Sequence, residues 1–182
     1  MYNFIHVPKV AGDSFSELIE GRRGLIAYAG HVRATEIKTV AFVRNLYDRL
    51  VSAYYYLIRG GGQNQMDLSF CEILRKYTDF RDFVLNIHTD KLIDRILHIK
   101  PMYYFLCDDE NNVIVNDIFK IEDVGAIDDF LAKLGIDKKL SKTINNTSQH
   151  LHYSLHLDGD IVREINRVYD IDFALFNYEK II

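Results

Sequence analysis

Three short segments hold the residues whose types and spacing could do chemistry. The first is Pro8-Lys9-Val10-Ala11-Gly12-Asp13-Ser14, a small, polar turn between an apolar run and a helical pattern. Small residues let the backbone approach a ligand, and a helix N-terminus offers amides to an anion. Lys9 adds a point charge. The same residues would also suit an ordinary strand-to-helix turn with a solvated lysine. The second segment runs from Phe42 and Val43 into Arg44, Asn45 and a helix that carries Ser52. A strand that ends in Arg, where a nucleotide-triphosphate enzyme often places a magnesium-binding Asp, suits direct anion binding without a metal. Arg44 capping a neighbouring helix, with Ser52 a core hydroxyl, is the plainer alternative. The third is Tyr28-Ala29-Gly30-His31-Val32-Arg33.

Stepping along the chain locates the elements that must hold these segments. Phe4 to Val7 reads as a strand stopped by Pro8, and Phe15, Leu18 and Ile19 mark a short helix closed at Gly21. Leu25–Ala29 and Thr39–Val43 read as further strands, the latter continuously apolar as a strand covered on both faces should be. Tyr47, Leu50, Val51, Tyr54, Leu57 and Ile58 form one face of a helix that ends at Gly60-Gly61-Gly62. Gln63-Asn64-Gln65 continues that break as a loop, and Arg59 to Gln63 read as a mobile loop that would suit an acceptor lid. Helical stripes follow around Phe80–Ile87 and Leu92–Leu97, up to Pro101. Tyr103–Leu106 and Val113–Val115 read as strands around an Asp108–Asn112 turn. Ile127–Leu134, capped by Gly135, and Ile161–Tyr169 read as helices. Strands alternating with helices predict an α/β fold with a central, mostly parallel sheet flanked by helices. Ligands then bind beyond the carboxyl ends of the strands, where all three segments fall.

The chain has 182 residues, of which 48% are hydrophobic and 26% charged, with a formal net charge of −4. This is an ordinary globular balance, expected to form a single domain over 1–182. A net negative chain does not grip nucleic acid by bulk charge, so an anion site must be local. Cys71 and Cys107 lack CxxC partners and sit among apolar neighbours, which predicts buried free thiols. No run is long enough to span a membrane and no signal peptide is visible, which predicts a cytoplasmic protein. A Golgi-lumenal location would require that a targeting segment had been removed. His150, His152 and His156 invite a metal reading, but their spacing lacks a nearby Cys or carboxylate set, and no metal is expected.

The runs Phe4–Phe15 and Ala41–Tyr54 together resemble the sulfotransferases, most of all the carbohydrate branch of heparan-sulfate 2-O- and chondroitin-type enzymes. The first resembles the family's His-Ile/Val-Pro-Lys loop, which wraps a 5′-phosphosulfate. The second resembles its Phe-Val-Arg-Asn run with an Arg and a Ser downstream. Looser likeness continues through Asp117–Asp123 and Tyr169–Tyr178. The resemblance implies a phosphate-loop-NTPase-like sulfotransferase fold. It implies 3′-phosphoadenosine 5′-phosphosulfate (PAPS) as donor and the desulfated nucleotide (PAP) as product. It further implies a hydroxyl-bearing acceptor, a saccharide, as the partner. Carried over by residue, Lys9 acts on the leaving oxygen. Ala11, Gly12, Asp13, Ser14 and Phe15 line the donor, Gly12 to Phe15 through their amides and Ser14 also through its hydroxyl. Arg44 and Ser52 hold the 3′-phosphate, and His31 is the general base. Arg33 is a candidate for binding an anionic acceptor.

The chain departs from the family at Asp13, where a Thr or Ser is usual, and at Leu46, where a Pro is usual. A carboxylate beside a phosphate is repulsive, so Asp13 either weakens the donor or points away as a helix cap. The rival functions are a non-catalytic PAP-binding module and a small-molecule kinase. The kinase is disfavoured because the Gly-Lys-Ser/Thr signature is absent.

Overall fold

The computed structural model describes residues 2–19, 26–28, 38–140 and 150–182. They fall into two compact units. The first comprises Met1–Arg44 and Met102–Asn145, and the second Asn45–Pro101 and Asn146–Ile182.

The first unit is built on β1 (Tyr2–His6), β2 (Ile26–Tyr28), β3 (Lys38–Val43) and β4 (Asp117–Lys120). They form a four-stranded sheet in the order β2-β1-β3-β4. Every pairing is parallel, with Phe4 opposite both Ile26 and Val40, and Val43 opposite Lys120. The α/β architecture expected from the sequence is therefore present. In a parallel sheet all strands end on one edge, here marked by His6, Tyr28, Val43 and Lys120.

Its helices are α1 (Gly12–Ile19), α6 (Tyr103–Leu106) and α7 (Val124–Lys133). Thr39 to Val43 is buried throughout, so β3 is covered on both faces, as its unbroken apolar run requires. Aromatic rings knit strands to helices. Phe15 of α1 packs 4.6 Å from Phe4 and 4.7 Å from Phe42, and Phe119 lies 5.0 Å from Phe130 of α7. Burying one such ring is worth about 1.5–3 kcal/mol. The α7 helix is capped by Asp123, which accepts from the Ala126 amide at 3.1 Å. It ends in a Schellman motif, with Gly135 at φ 70 and Ile136 N donating to Leu131 O. The β4 edge is registered by a side-chain clasp: Asn116 Oδ1 accepts from Thr39 N at 2.8 Å and Thr39 Oγ1 at 3.1 Å.

The second unit is helical. It holds α2 (Leu46–Ile58), α3 (Gln65–Leu74), α4 (Phe80–Asn86), α5 (Leu92–Arg95), α8 (Gly159–Val168) and α9 (Asp170–Leu175). Two 3-10 turns, Leu97–Ile99 and Tyr153–His156, join them. The buried face of α2 includes Tyr47, Leu50, Val51, Tyr54 and Leu57, as its period predicts. Arg81 of α4 bonds Asp158 at 3.0 Å and also reaches Asp160, tying α4 to α8.

Three readings change. Tyr103–Leu106, expected as a strand, is helix α6. Phe105 and Leu106 are buried there, and burial overrides the β preference of aromatic residues. Val113–Val115, also expected as a strand, contributes only an isolated bridge between Val113 and Cys107. Asp108 gathers the amides of Glu110 and Asn112, with Asn111 at φ 63, so the chain turns too tightly for a ladder. The strand comes later, at β4. Gln65, read as loop, begins α3, whose cap is Asn64 accepting from Asp67 N at 2.9 Å. Gly62, within the segment read as an acceptor lid, is held from within its own unit. The buried Asp67 carboxylate accepts from Gly62 N at 2.8 Å, Asn64 Nδ2 at 2.9 Å and the Tyr56 hydroxyl at 3.0 Å. Both cysteines are buried and free, as expected.

Replacing Asn116 with Ala leaves the buried Thr39 amide without its acceptor. The expected loss is about 1–3 kcal/mol of unfolding free energy. Urea denaturation of the two proteins measures it, and equal midpoints would show that the clasp does not register β4.

Candidate functional site

The loop after β1 is held in an unusual backbone conformation. Lys9 has φ 68 and Ala11 φ 59, the left-handed region that side chains other than glycine rarely adopt. Such residues cost of order 1–3 kcal/mol each and persist only where the surroundings over-determine them. Three contacts do so. Val7 and Val10 are wholly buried on either side of Lys9. The Phe15 amide donates to Ala11 O at 3.0 Å, starting α1. Arg44 Nη1 donates to Lys9 O at 3.0 Å, so the end of β3 braces the loop that follows β1.

Gly12 opens α1 under the imidazole of His6. A Cβ at residue 12 would come within 2.1 Å of His6 Cδ2 and 2.2 Å of Nε2. Glycine is needed there because of that close approach. The amides of Gly12, Asp13 and Ser14 fall in the first turn, where a helix provides no acceptor of its own. The Phe15 amide is engaged by Ala11, and its ring belongs to the aromatic core. Ser14 is buried at the same turn.

His6 and Asp13 set the local electrostatics. The His6 side chain is 12% exposed, and its Nε2 lies 3.8 Å from Asp13 Oδ1, whose own side chain is 87% exposed. Burial pushes the imidazole below its ordinary 6.5; Asp13 works against this shift and Lys9 adds to it. Asp13 lies inside the first turn of α1 and faces solvent. It therefore complements the helix dipole and does not act as the cap.

The second segment leaves β3 at Val43, whose carbonyl accepts from Ile121 N at 2.9 Å. Lys120 stands beside Val43 at the same strand edge. Asn45 then caps α2, its side chain accepting from Tyr47 N and Asp48 N. Arg49 and Ser52 are each 2% exposed. Arg49 Nη1 donates to Lys100 O at 2.9 Å and the Tyr169 hydroxyl to Ile99 O at 2.7 Å, so this Arg of the motif anchors its own helical unit. Burial pushes the Tyr169 phenol upward, against the pull of Arg49.

The structure thus brings Lys9, Ala11, Gly12, Asp13, Ser14, Phe15 and Arg44 together within the first unit. Ser52 lies on α2 in the second unit. His31 and Arg33 lie outside the described residues, as does the 141–149 segment. Sequence reasoning missed two features. The Arg44 bond to the Lys9 carbonyl leaves no mark in residue types. His6 could have been suspected only from the glycine six positions on. Elsewhere, His156 Nδ1 is 3.3 Å from the Tyr55 hydroxyl and His150 Nδ1 is 2.7 Å from Leu151 O. Among the described residues no three His, Cys, Asp or Glu side chains form a metal-ligand group. No helix among them is long and apolar enough to cross a membrane.

Residues 27–179 match the family model described as Sulfotransferase family. The matched stretch includes Arg44 and Ser52 and begins after the Lys9 loop. No curated protein and no solved structure matches the chain.

Two outcomes follow from the His6 packing. Gly12→Ala should cost about 1–3 kcal/mol of stability as an overpacked site. His6→Ala should relieve much of that cost, so the two changes should be non-additive in a urea double-mutant cycle. Additive losses would mean that the ring does not restrain residue 12. Because folding lowers the His6 pKa, the unfolded chain binds its proton first as pH falls. Stability should therefore drop as pH goes below about 6.5 towards the lower folded value, and His6→Gln should flatten this limb of a stability–pH profile.

Proposed function

The chain belongs to the sulfotransferase family, and we propose that it transfers a sulfuryl group from PAPS to a hydroxyl acceptor, a saccharide. The observation that carries this reading is the hydrogen bond from Arg44 to the Lys9 carbonyl. It joins the two anion-binding segments at the carboxyl edge of the sheet, the place where open parallel sheets bind ligands. The donor set suits a nucleotide with phosphate and sulfate groups: an ammonium, a guanidinium and the first-turn amides of α1. We read the whole chain, 1–182, as one functional domain working without an obligate metal.

In this reading Lys9 and the amides of Gly12, Asp13 and Ser14 stabilise charge that develops on the sulfuryl group and the leaving phosphate. Ala11 and Phe15 set the path of the loop. Arg44 holds the 3′-phosphate that distinguishes PAPS from ATP. A guanidinium has five donors, so bracing the loop is compatible with gripping phosphate. His31 takes the acceptor proton, since an imidazole titrates near neutral pH. The acceptor oxygen then forms a new S–O bond as the S–O bond to the phosphate breaks, in line. PAP leaves with the bonding pair.

The exposed Asp13 carboxylate favours a second reading, a module that binds PAP without turnover. Calorimetry with PAP, with ATP and magnesium as comparison, separates these readings when paired with a sulfation assay on saccharide acceptors. Arg44→Ala should weaken PAP binding by about 10- to 100-fold, the worth of a charge-assisted contact. Lys9→Ala should lower kcat by about 100-fold or more with a smaller change in PAP affinity. Full activity in both variants would refute the donor assignment. PAP binding without turnover would favour the module, and magnesium-dependent ATP binding in place of PAP would favour a kinase.

A further inference from the structure

The imidazole of His6 is built into the proposed donor loop without being assigned any part in it. Its ring lies on Gly12, and its Nε2 is 3.8 Å from Asp13 Oδ1. The charged and titratable groups around it come from each neighbouring element. Asp13 comes from α1 and Lys9 from the loop. Arg44, at the end of β3, reaches the loop through the Lys9 carbonyl. With a neutral imidazole, the charges of Lys9 and Asp13 offset one another. A proton on His6 places a cation beside the carboxylate that would otherwise repel a polyanion.

We propose that the loop binds its polyanionic nucleotide with uptake of a proton onto His6, which makes His6 a positioning residue that couples donor affinity to pH. The inference rests on the loop being the donor site. In the protein alone, burial outweighs Asp13 and keeps the ring neutral near pH 7. A phosphate or sulfate brought to the loop adds negative charge within Coulomb range and reverses that balance. By linkage, a ligand that raises the affinity of a group for protons must itself bind more tightly as pH falls. The device also gives Asp13 a role that a Thr or Ser could not fill: its carboxylate holds the imidazolium once the ligand has drawn the proton in.

The test is calorimetric titration of PAP into the full chain between about pH 6 and pH 8.5, the span in which a histidine titrates, in buffers of contrasting ionisation enthalpy. The expected result is uptake of up to one proton, with Kd falling by up to about tenfold per unit of decreasing pH. His6→Gln should lose both the uptake and the slope. The titration of the PAP phosphate is common to both proteins, so their difference isolates His6. A purely structural His6 predicts that the Gln variant binds more weakly at every pH with the slope unchanged, and that result would overturn the inference. Should His6→Gln not fold, the ring signals of His6 in the wild-type NMR spectrum decide. A titration midpoint that rises on adding PAP supports the inference, and one that stays fixed overturns it. PAP binding with no proton uptake refutes this inference alone, whereas no PAP binding at any pH refutes the donor reading beneath it.

Discussion

The hydrogen bond from the Arg44 guanidinium to the carbonyl of Lys9 is the constraint on which the site depends. The carbonyl of Lys9, in the left-handed stretch before α1, takes its hydrogen bond from a side chain, and leaving such a group buried and unpaired is costly. Supplying the partner from the end of β3 does two things. It fixes the path of a strained loop, and it brings a second cation to that loop. Because β1 and β3 are adjacent and parallel, the loop and the Arg lie at the same sheet edge without any long-range adjustment. The Phe4, Phe15 and Phe42 cluster ties β1, β3 and α1 together next to that loop.

The loop is also shaped by exclusion. His6 occupies the volume that a side chain at residue 12 would need, so the helix begins with bare backbone. A titratable ring is an odd choice for a spacer, since an aliphatic residue would pack there at no cost of desolvation. Its presence next to an exposed carboxylate and a lysine gives the loop an adjustable charge. Asp13 then becomes part of a pair with His6, and the carboxylate is not to be read alone.

How far the fold could be read depended on what each segment had to satisfy. The α2 helix was legible because its apolar face recurs with the helical period, and β3 because it must be covered on both sides. Tyr103–Leu106 was misread because aromatic residues favour strands in general, whereas here local burial decides. The start of α3 was misread although its Asn64 cap was present in the sequence, since three polar residues resemble a loop. Within the site, the residue types at Lys9, Gly12 and Arg44 pointed to anion binding. What they do to one another was not legible, because a bond to a backbone carbonyl and a ring lying on a glycine are facts of three dimensions. Ser52 was singled out through motif likeness alone, and its burial on α2 is equally what a core hydroxyl would show.

The order of the strands has a consequence for how the chain is assembled. β4 completes the sheet only after the excursion through Asn45–Pro101, and that excursion waits in turn for Asn146–Ile182. The Tyr47 hydroxyl, near the start of the helical unit, accepts from the amide of Ile181 at 2.9 Å. Each unit is thus stitched through the other's stretch of sequence, and no single cut of the chain releases either one whole. A growing chain must hold β1 and β3 in waiting until β4 emerges, with the loop-closure entropy of the intervening residues still to be met. The strained loop that carries Lys9 belongs to a sheet that is finished only when residue 120 has been made.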